Sequence, residues 1–289
     1  EMEPLQRADF VGIMMAMSGL PVTVRLLDPP LHEFLPPLAE LSAHMATLEA
    51  IGEEVPAREA AIFAAVKRMH EANPMLGLRG VRLGILIPEL YKMQVRALVY
   101  AYLEVKKLGH DPKPEVMIPL VATQRELLHL RETLEAEIKR AFKGTGVDVE
   151  FPIGTMIETP RAAITASRLG IYADFFSFGT NDLTQMTYGL SRDDAGRFMT
   201  EYVRQGVFEE DPFHTLDVDG VGELLILGAK RGRAARPALT LSMCGEHGGN
   251  TESIAFCRAA GFDYVSCSPF RVPVARLAAA QLAILDHLQ

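Results

Sequence analysis

Three cysteines, Cys244, Cys257 and Cys267, are all that 289 residues contain, and no two form a CxxC pair. That scarcity excludes a disulfide-stapled fold and points to a reducing compartment, so a cytoplasmic location is expected. Also missing is any apolar run near the ~18 residues needed to cross a bilayer. The one signal-like stretch, Val11 to Leu20, follows Glu1, Glu3 and Asp9 with only Arg7 in opposition, the wrong charge sign for a secretory leader. Positive charge is in deficit too: Lys and Arg number 29 against 37 Asp and Glu, a net −8. Such a balance repels phosphate backbones and anionic membranes, so neither nucleic acid nor a membrane is an expected partner. An anionic ligand would have to meet locally placed cations.

Several motifs are absent as well. No GxxxxGK[ST] phosphate loop occurs, and Gly220-Val-Gly222 is followed by Leu225 where a dinucleotide fingerprint needs Gly. The eight histidines form no HExxH cluster, so neither a zinc centre nor a Ser-His-Asp triad stands out. No low-complexity linker and no internal repeat divides the chain, and its 48% hydrophobic and 23% charged residues are those of an ordinary globular domain.

What is present is an alternation of short β-branched runs with segments of helical period, the order of βα units around a parallel sheet. Seven strands are predicted, over 21–28, 78–83, 115–121, 151–157, 174–178, 238–243 and 264–268. Helices are predicted near 56–73, 89–108, 123–142, 160–169, 251–260 and 272–287. The clearest boundaries are Lys106 and Lys107 before Gly109, which complement a helix C-terminus, and Thr123 with Glu126, a capping box. A (β/α)8 barrel needs eight strands to close. Because the chain opens on Glu1 rather than Met, the expectation is an α/β chain, a TIM-type barrel over residues 1–289 whose first strand lies upstream, within a longer multidomain enzyme.

In such a barrel the site forms at the C-terminal ends of the strands. Polar groups gather there: Arg25 and Asp28, Arg79 and Arg82, Glu158, Asn181 and Asp182, Cys244 and Glu246, and Ser268. Glu158 and Asp182 each directly follow a predicted strand. Two carboxylates in one mouth need a shared proton or a cation, and hard oxygen ligands suit Mg²⁺; alternatively each caps the helix that follows it. Gly179-Thr180-Asn181-Asp182 joins a strand to a helix and could turn its N–H groups towards an anion, or be a plain capped turn. Arg25 and Arg79 are either phosphoryl or carboxylate partners or solvated surface side chains. Cys244 is either a small core residue or a thiol used in proton transfer. The Asp-, Arg- and Glu-rich stretch between Gly189 and Gly220 exceeds an ordinary βα loop, which makes it an active-site cover, an interface element or a solvated insertion.

The segments Arg25-Leu-Leu-Asp-Pro-Pro-Leu-His-Glu-Phe34, Asn73-Pro-Met-Leu-Gly-Leu-Arg-Gly80, Met156-Ile-Glu-Thr-Pro-Arg161, Ser177-Phe-Gly-Thr-Asn-Asp-Leu-Thr-Gln185, Cys244-Gly-Glu-His-Gly-Gly249 and Ser266-Cys-Ser-Pro-Phe-Arg-Val-Pro273 together resemble the C-terminal domain of the pyruvate phosphate dikinase family, a branch of the phosphoenolpyruvate-utilising enzymes. The resemblance implies a (β/α)8 barrel that interconverts pyruvate and phosphoenolpyruvate, exchanging a phosphoryl group with a phosphohistidine on a separate swivelling domain. In the full enzyme, ATP, phosphate and pyruvate give AMP, diphosphate and phosphoenolpyruvate. By matching positions, Glu158 and Asp182 would hold Mg²⁺, Gly179, Thr180 and Asn181 the substrate, Arg25 and Arg79 the migrating phosphoryl group, and Cys244 the proton at the methyl carbon. A homodimer contact is implied as well. Leu78 and Val81 stand where the family has His and Cys, so no polar support of Arg79 is expected from those positions. The segments that carry the phosphohistidine, the nucleotide and a further arginine have no counterpart, so the chain is not expected to run the full reaction alone. Phosphoenolpyruvate synthase, a Mg²⁺-dependent pyruvate-aldolase type of barrel and a non-catalytic dimerisation module are the alternatives.

Overall fold

The computed structural model describes residues 2–287 and is built on one sheet of six strands in sequence order. These are β1 (Pro21–Arg25), β2 (Lys113–Ile118), β3 (Ile153–Ile157), β4 (Phe175–Gly179), β5 (Thr240–Cys244) and β6 (Tyr264–Val265). Every neighbouring pair is parallel. Parallel neighbours require crossovers, and helices fill them, which gives an α/β chain with an open sheet of the barrel type. Among the described residues β1 pairs only with β2 and β6 only with β5. β3 and β4 are buried at every position, as strands covered on both faces must be.

The helices bury one stripe each. Pro88–Lys107 turns Tyr91, Val95, Leu98, Tyr102 and Val105 inward, and Gln124–Phe142 turns Leu127, Leu130, Leu134, Ile138 and Phe142, both at helical spacing. Tyr102, Phe142 and Phe151 meet with ring centroids 5.5 to 5.8 Å apart, just ahead of β3 and so at the end of the sheet opposite its C-terminal edge. The capping box is formed: Thr123 Oγ1 accepts from the Glu126 N–H at 3.2 Å, and Glu126 accepts from the Thr123 N–H at 2.8 Å.

One predicted strand is not a strand. Residues 78–83 form a turn and the start of a helix, Val81–Leu86, so the sheet has six strands rather than seven. A short apolar run fits either period. Here Val81 and Gly84, three apart, are buried on one helical face. The predicted helix 160–169 is two short ones, Pro160–Ile164 and Ala166–Gly170. Several helices carried no expectation, among them Met2–Ala16, which buries only Met14, Leu38–Ile51, which buries nothing, and Glu223–Ala235, which buries Leu225, Gly228, Ala229 and Gly232. Met2–Ala16 is tied down by ion pairs, Arg96 to Glu3 at 3.2 Å and Arg7 to Glu104 at 2.5 Å. No helix among the described residues is long and apolar enough to cross a membrane.

The excursion between β4 and β5 has a small core of its own, in which Ala195, Met199 and Phe213 pack with Leu190, Phe198 and Phe208. It is a folded element rather than a solvated loop.

Candidate active site

β1 ends at Arg25, and three residues on, Asp28 is buried to 4% exposure. Opposite it, Arg79 lies just ahead of the Val81–Leu86 helix and is 3% exposed. A buried guanidinium must be paired, and this one is paired on two sides. Its Nε and Nη2 donate to Asp28 at 3.3 and 2.5 Å, and its Nη1 and Nη2 donate to Asp182 at 2.9 and 3.2 Å. Burial alone would pull its pKa down, but the bonds and charges of Asp28 and Asp182 outweigh that and raise it above the ordinary value. Arg25 differs: its side chain is 46% exposed and reaches Asp28 at only 3.5 Å. Polar support of Arg79 thus comes from two aspartates distant in sequence, not from Leu78 or Val81.

Glu158 follows β3 directly and is 1% exposed. One of its oxygens accepts from the Leu120 N–H at 2.5 Å. Leu120 has φ 58, the left-handed region that a Leu adopts only under constraint. Burial first, then the charges of Asp182 and Asp28, push the Glu158 carboxyl up to about 8. The last residue of β4 makes room for it: a Cβ on Gly179 would lie 2.4 Å from Glu158 Oε2 and 2.7 Å from Met156 Cε. Neither carboxylate caps a helix. Thr159 caps the helix after Glu158 by accepting from the Ala162 N–H at 3.1 Å, and Asp182 is turned to Arg79.

β4 runs straight into the helix Thr180–Tyr188. Its first residue, Thr180, is fully buried, with Oγ1 2.9 Å from the Cys244 carbonyl. Asn181 Oδ1 accepts from the Glu246 N–H at 3.2 Å. Gly179 and Cys244 are register partners, so the turn after β4 and the end of β5 lie side by side. Gly245 takes φ 112 and packs so close that a Cβ would sit 2.8 Å from Thr180 Oγ1. The Cys244 thiol donates to the Phe178 carbonyl at 3.5 Å, and burial, partly offset by Ser177, pushes its pKa up to about 11. It is a protonated thiol.

Arg25, Asp28, Arg79, Asn181, Asp182 and Arg192 are among the residues that line one cleft of about 290 Å³. Glu158 and Cys244 lie at the same edge of the sheet, where a charge on Glu158 disfavours ionisation of the Cys244 thiol. Two strand-end residues lie apart from this group: Arg82 donates to the Leu76 and Gly77 carbonyls at 2.7 and 2.8 Å, and Ser268 precedes the turn Pro269–Arg271. Two residues carried no sequence expectation. Arg192 opens the excursion, anchored by its N–H to Gln185 Oε1 at 3.0 Å, and the Ser191-Arg-Asp-Asp run was its signal. His247 is fully buried behind Thr180, in the Gly-Glu-His-Gly-Gly segment.

Residues 1–284 match the model of the family described as PEP-utilising enzyme, PEP-binding domain. The chloroplastic pyruvate, phosphate dikinase of Flaveria trinervia is 52% identical over 281 residues, covering 97% of this chain and 29% of that protein. The pyruvate, phosphate dikinase of Rhizobium meliloti (strain 1021) is 51% identical over 282 residues, covering 97% and 31%. The chain therefore spans less than a third of these curated relatives. Among solved structures, a citrate lyase from Burkholderia xenovorans LB400 gives a TM-score of 0.44 at 14% identity, over 92% of this chain and 79% of that one.

Proposed function

The chain belongs to the PEP-utilising enzymes, as their PEP-binding domain, and from that premise we propose that it carries the pyruvate/phosphoenolpyruvate half-reaction of a pyruvate, phosphate dikinase. The phosphoryl group would pass between a phosphohistidine on a separate swivelling domain and the enol oxygen of pyruvate. The observation that carries the proposal is Arg79, buried yet gripped by Asp28 and Asp182 at the mouth of a cleft that also holds Arg25. Phosphoryl transfer asks a protein for positioning and neutralised charge more than for covalent chemistry. Arg79 supplies a rigid cation, and the half-exposed Arg25 a second one that can meet a group arriving from solvent.

Mg²⁺ suits the remaining donors. Among the described residues no cluster of three or more His, Cys, Asp or Glu could hold a metal, so the protein offers Glu158 and Asp182, and substrate and water oxygens would complete the shell. The donor set fits: burial and the neighbouring aspartates keep Glu158 protonated, the condition of a carboxylate pair that lacks a cation. When bound, Mg²⁺ would act as a Lewis acid towards the substrate's carbonyl and carboxylate oxygens. Glu158 would lose its proton as it takes up that role. The backbone of the 179–181 turn, at a helix N-terminus beside β5, would hold the substrate carboxylate. Cys244 would give its thiol proton to the methylene carbon as pyruvate forms, and take it back in reverse; its raised pKa keeps the thiol form dominant between turnovers.

A homodimer is part of the same proposal, supported by Val274, Leu277, Ile284 and Leu285, exposed on the last helix. A cytoplasmic setting is proposed on the three free thiols. The test is calorimetric titration with oxalate, a planar enolate mimic, with and without Mg²⁺. Binding should require both Mg²⁺ and Glu158, and be lost in Glu158→Gln; binding indifferent to either overturns the reading.

A further inference from the structure

His247 sits in the turn Glu246–Gly249 after β5 and has no exposed surface. Its Nε2 is 2.9 Å from the Pro212 carbonyl, and its Nδ1 is 2.7 Å from Thr180 Oγ1. Pro212 belongs to the excursion between β4 and β5, whose far end brings Arg192 to the cleft. Thr180 is the first helical residue after Gly179, directly ahead of Asn181 and Asp182, which line the cleft. One buried ring thus touches both the excursion and the substrate turn. Two further bonds tie the excursion to the helix Thr251–Ala259 that follows the His247 turn: Ser253 Oγ accepts from the Leu216 N–H at 3.3 Å, and the Asn250 amide donates to Thr215 Oγ1 at 3.5 Å.

We propose that His247 is a positioning residue that fixes Thr180 at the substrate turn and couples that turn to the excursion carrying Arg192, so that ligand binding at the turn steadies the excursion. Proton accounting specifies how. A carbonyl only accepts, so the Pro212 bond requires a proton on Nε2. Burial, aided by the His214 charge, holds the imidazole below its ordinary pKa, in the neutral form, and the Pro212 bond and the Glu246 and Asp211 charges do not reverse that. Nδ1 is therefore an acceptor, and its partner is the Thr180 hydroxyl. That hydroxyl has one proton and two acceptors, His247 Nδ1 and the Cys244 carbonyl. Its donor capacity is consumed internally, between the histidine and the backbone of the residue that carries the thiol. A ligand at the turn therefore finds no free hydroxyl proton on Thr180.

This rests on the proposed oxalate and pyruvate site, and the experiment separates the two. Nitrogen-15 NMR of the wild-type chain should show a protonated Nε2 and an unprotonated Nδ1 at neutral pH, with or without ligand. A protonated Nδ1, or a solvent-exposed ring, overturns the inference without reference to ligand. Two variants then divide the ring's contacts. In His247→Asn the amide reproduces the Nδ1 contact to Thr180 and gives up Pro212; in His247→Gln it reaches Pro212 and gives up Thr180. His247→Asn should be cleaved faster within 190–217 in limited proteolysis, and lose the slowing that Mg²⁺ and oxalate give the wild type, with oxalate affinity nearly kept. His247→Gln should keep the proteolysis rate and bind oxalate about tenfold more weakly, the scale of one lost hydrogen bond. Equal behaviour of folded Asn and Gln variants overturns the inference. If the wild type binds no oxalate, the functional reading fails, while the tautomer and the ligand-free cleavage rates still decide the positioning role.

Discussion

Glu158 makes the stability of this chain depend on pH in the direction opposite to most carboxylates. Its carboxyl is 1% exposed and keeps its proton to about 8, against an ordinary 4.5. Between those values the native chain binds a proton that the unfolded chain has released, so stability falls as pH rises. The contribution is fully present below about 4.5 and gone above about 8. The slope is about 1.4 kcal/mol per pH unit, and the whole interval is worth on the order of 5 kcal/mol. Glu158→Gln retains an oxygen for the Leu120 N–H but cannot ionise. Urea unfolding of both chains in chelator, in steps from about pH 5 to about 8, reads the difference directly. The variant should gain on the wild type at that slope. A difference that stays flat across this range refutes the buried, cation-starved carboxyl; so does one that grows towards acid.

Three further outcomes follow from the same geometry. Asp28→Asn removes one of the two anions that hold Arg79 and should destabilise the chain by about 3 kcal/mol in urea, the scale of a broken buried pair. Gly179→Ala places a methyl 2.4 Å from Glu158 Oε2; overpacking should cost about 1–3 kcal/mol in thermal melts and abolish Mg²⁺-dependent oxalate binding in calorimetry. Cys244→Ala should leave oxalate binding in place and slow Mg²⁺-dependent exchange of the pyruvate methyl hydrogens with heavy water by at least about a hundredfold, followed by proton NMR.

The cleft residues were legible because a parallel sheet places the ends of its strands together, so reading the last residues of each run already selects Arg25, Glu158, Asp182 and Cys244. Contacts between distant segments were not. Asp28 stood out as polar, but its grip on Arg79 spans 51 residues and leaves no local pattern. His247 was hidden the same way, since its partners Thr180 and Pro212 lie 67 and 35 residues off. Residues 78–83 misled because alternation over so short a run fits a helix as well as a strand. Leu38–Ile51 does carry an apolar stripe, Leu38, Leu41, Met45 and Leu48, but it is only half-buried and the alanines beside it blur its edge.

Arg79 donates to Asp28 on one side and Asp182 on the other, using Nη2 for both. It behaves as a resident counter-ion on a fixed mount. If Asp182 turns towards another cation, Asp28 still anchors the guanidinium, and the donors released point into the cleft from which Asp182 withdrew. Recruiting a metal and unmasking an arginine are then a single exchange of partners. The charge of Arg79 would stay covered until a cation drew Asp182 away, while Arg25 stands open to solvent throughout.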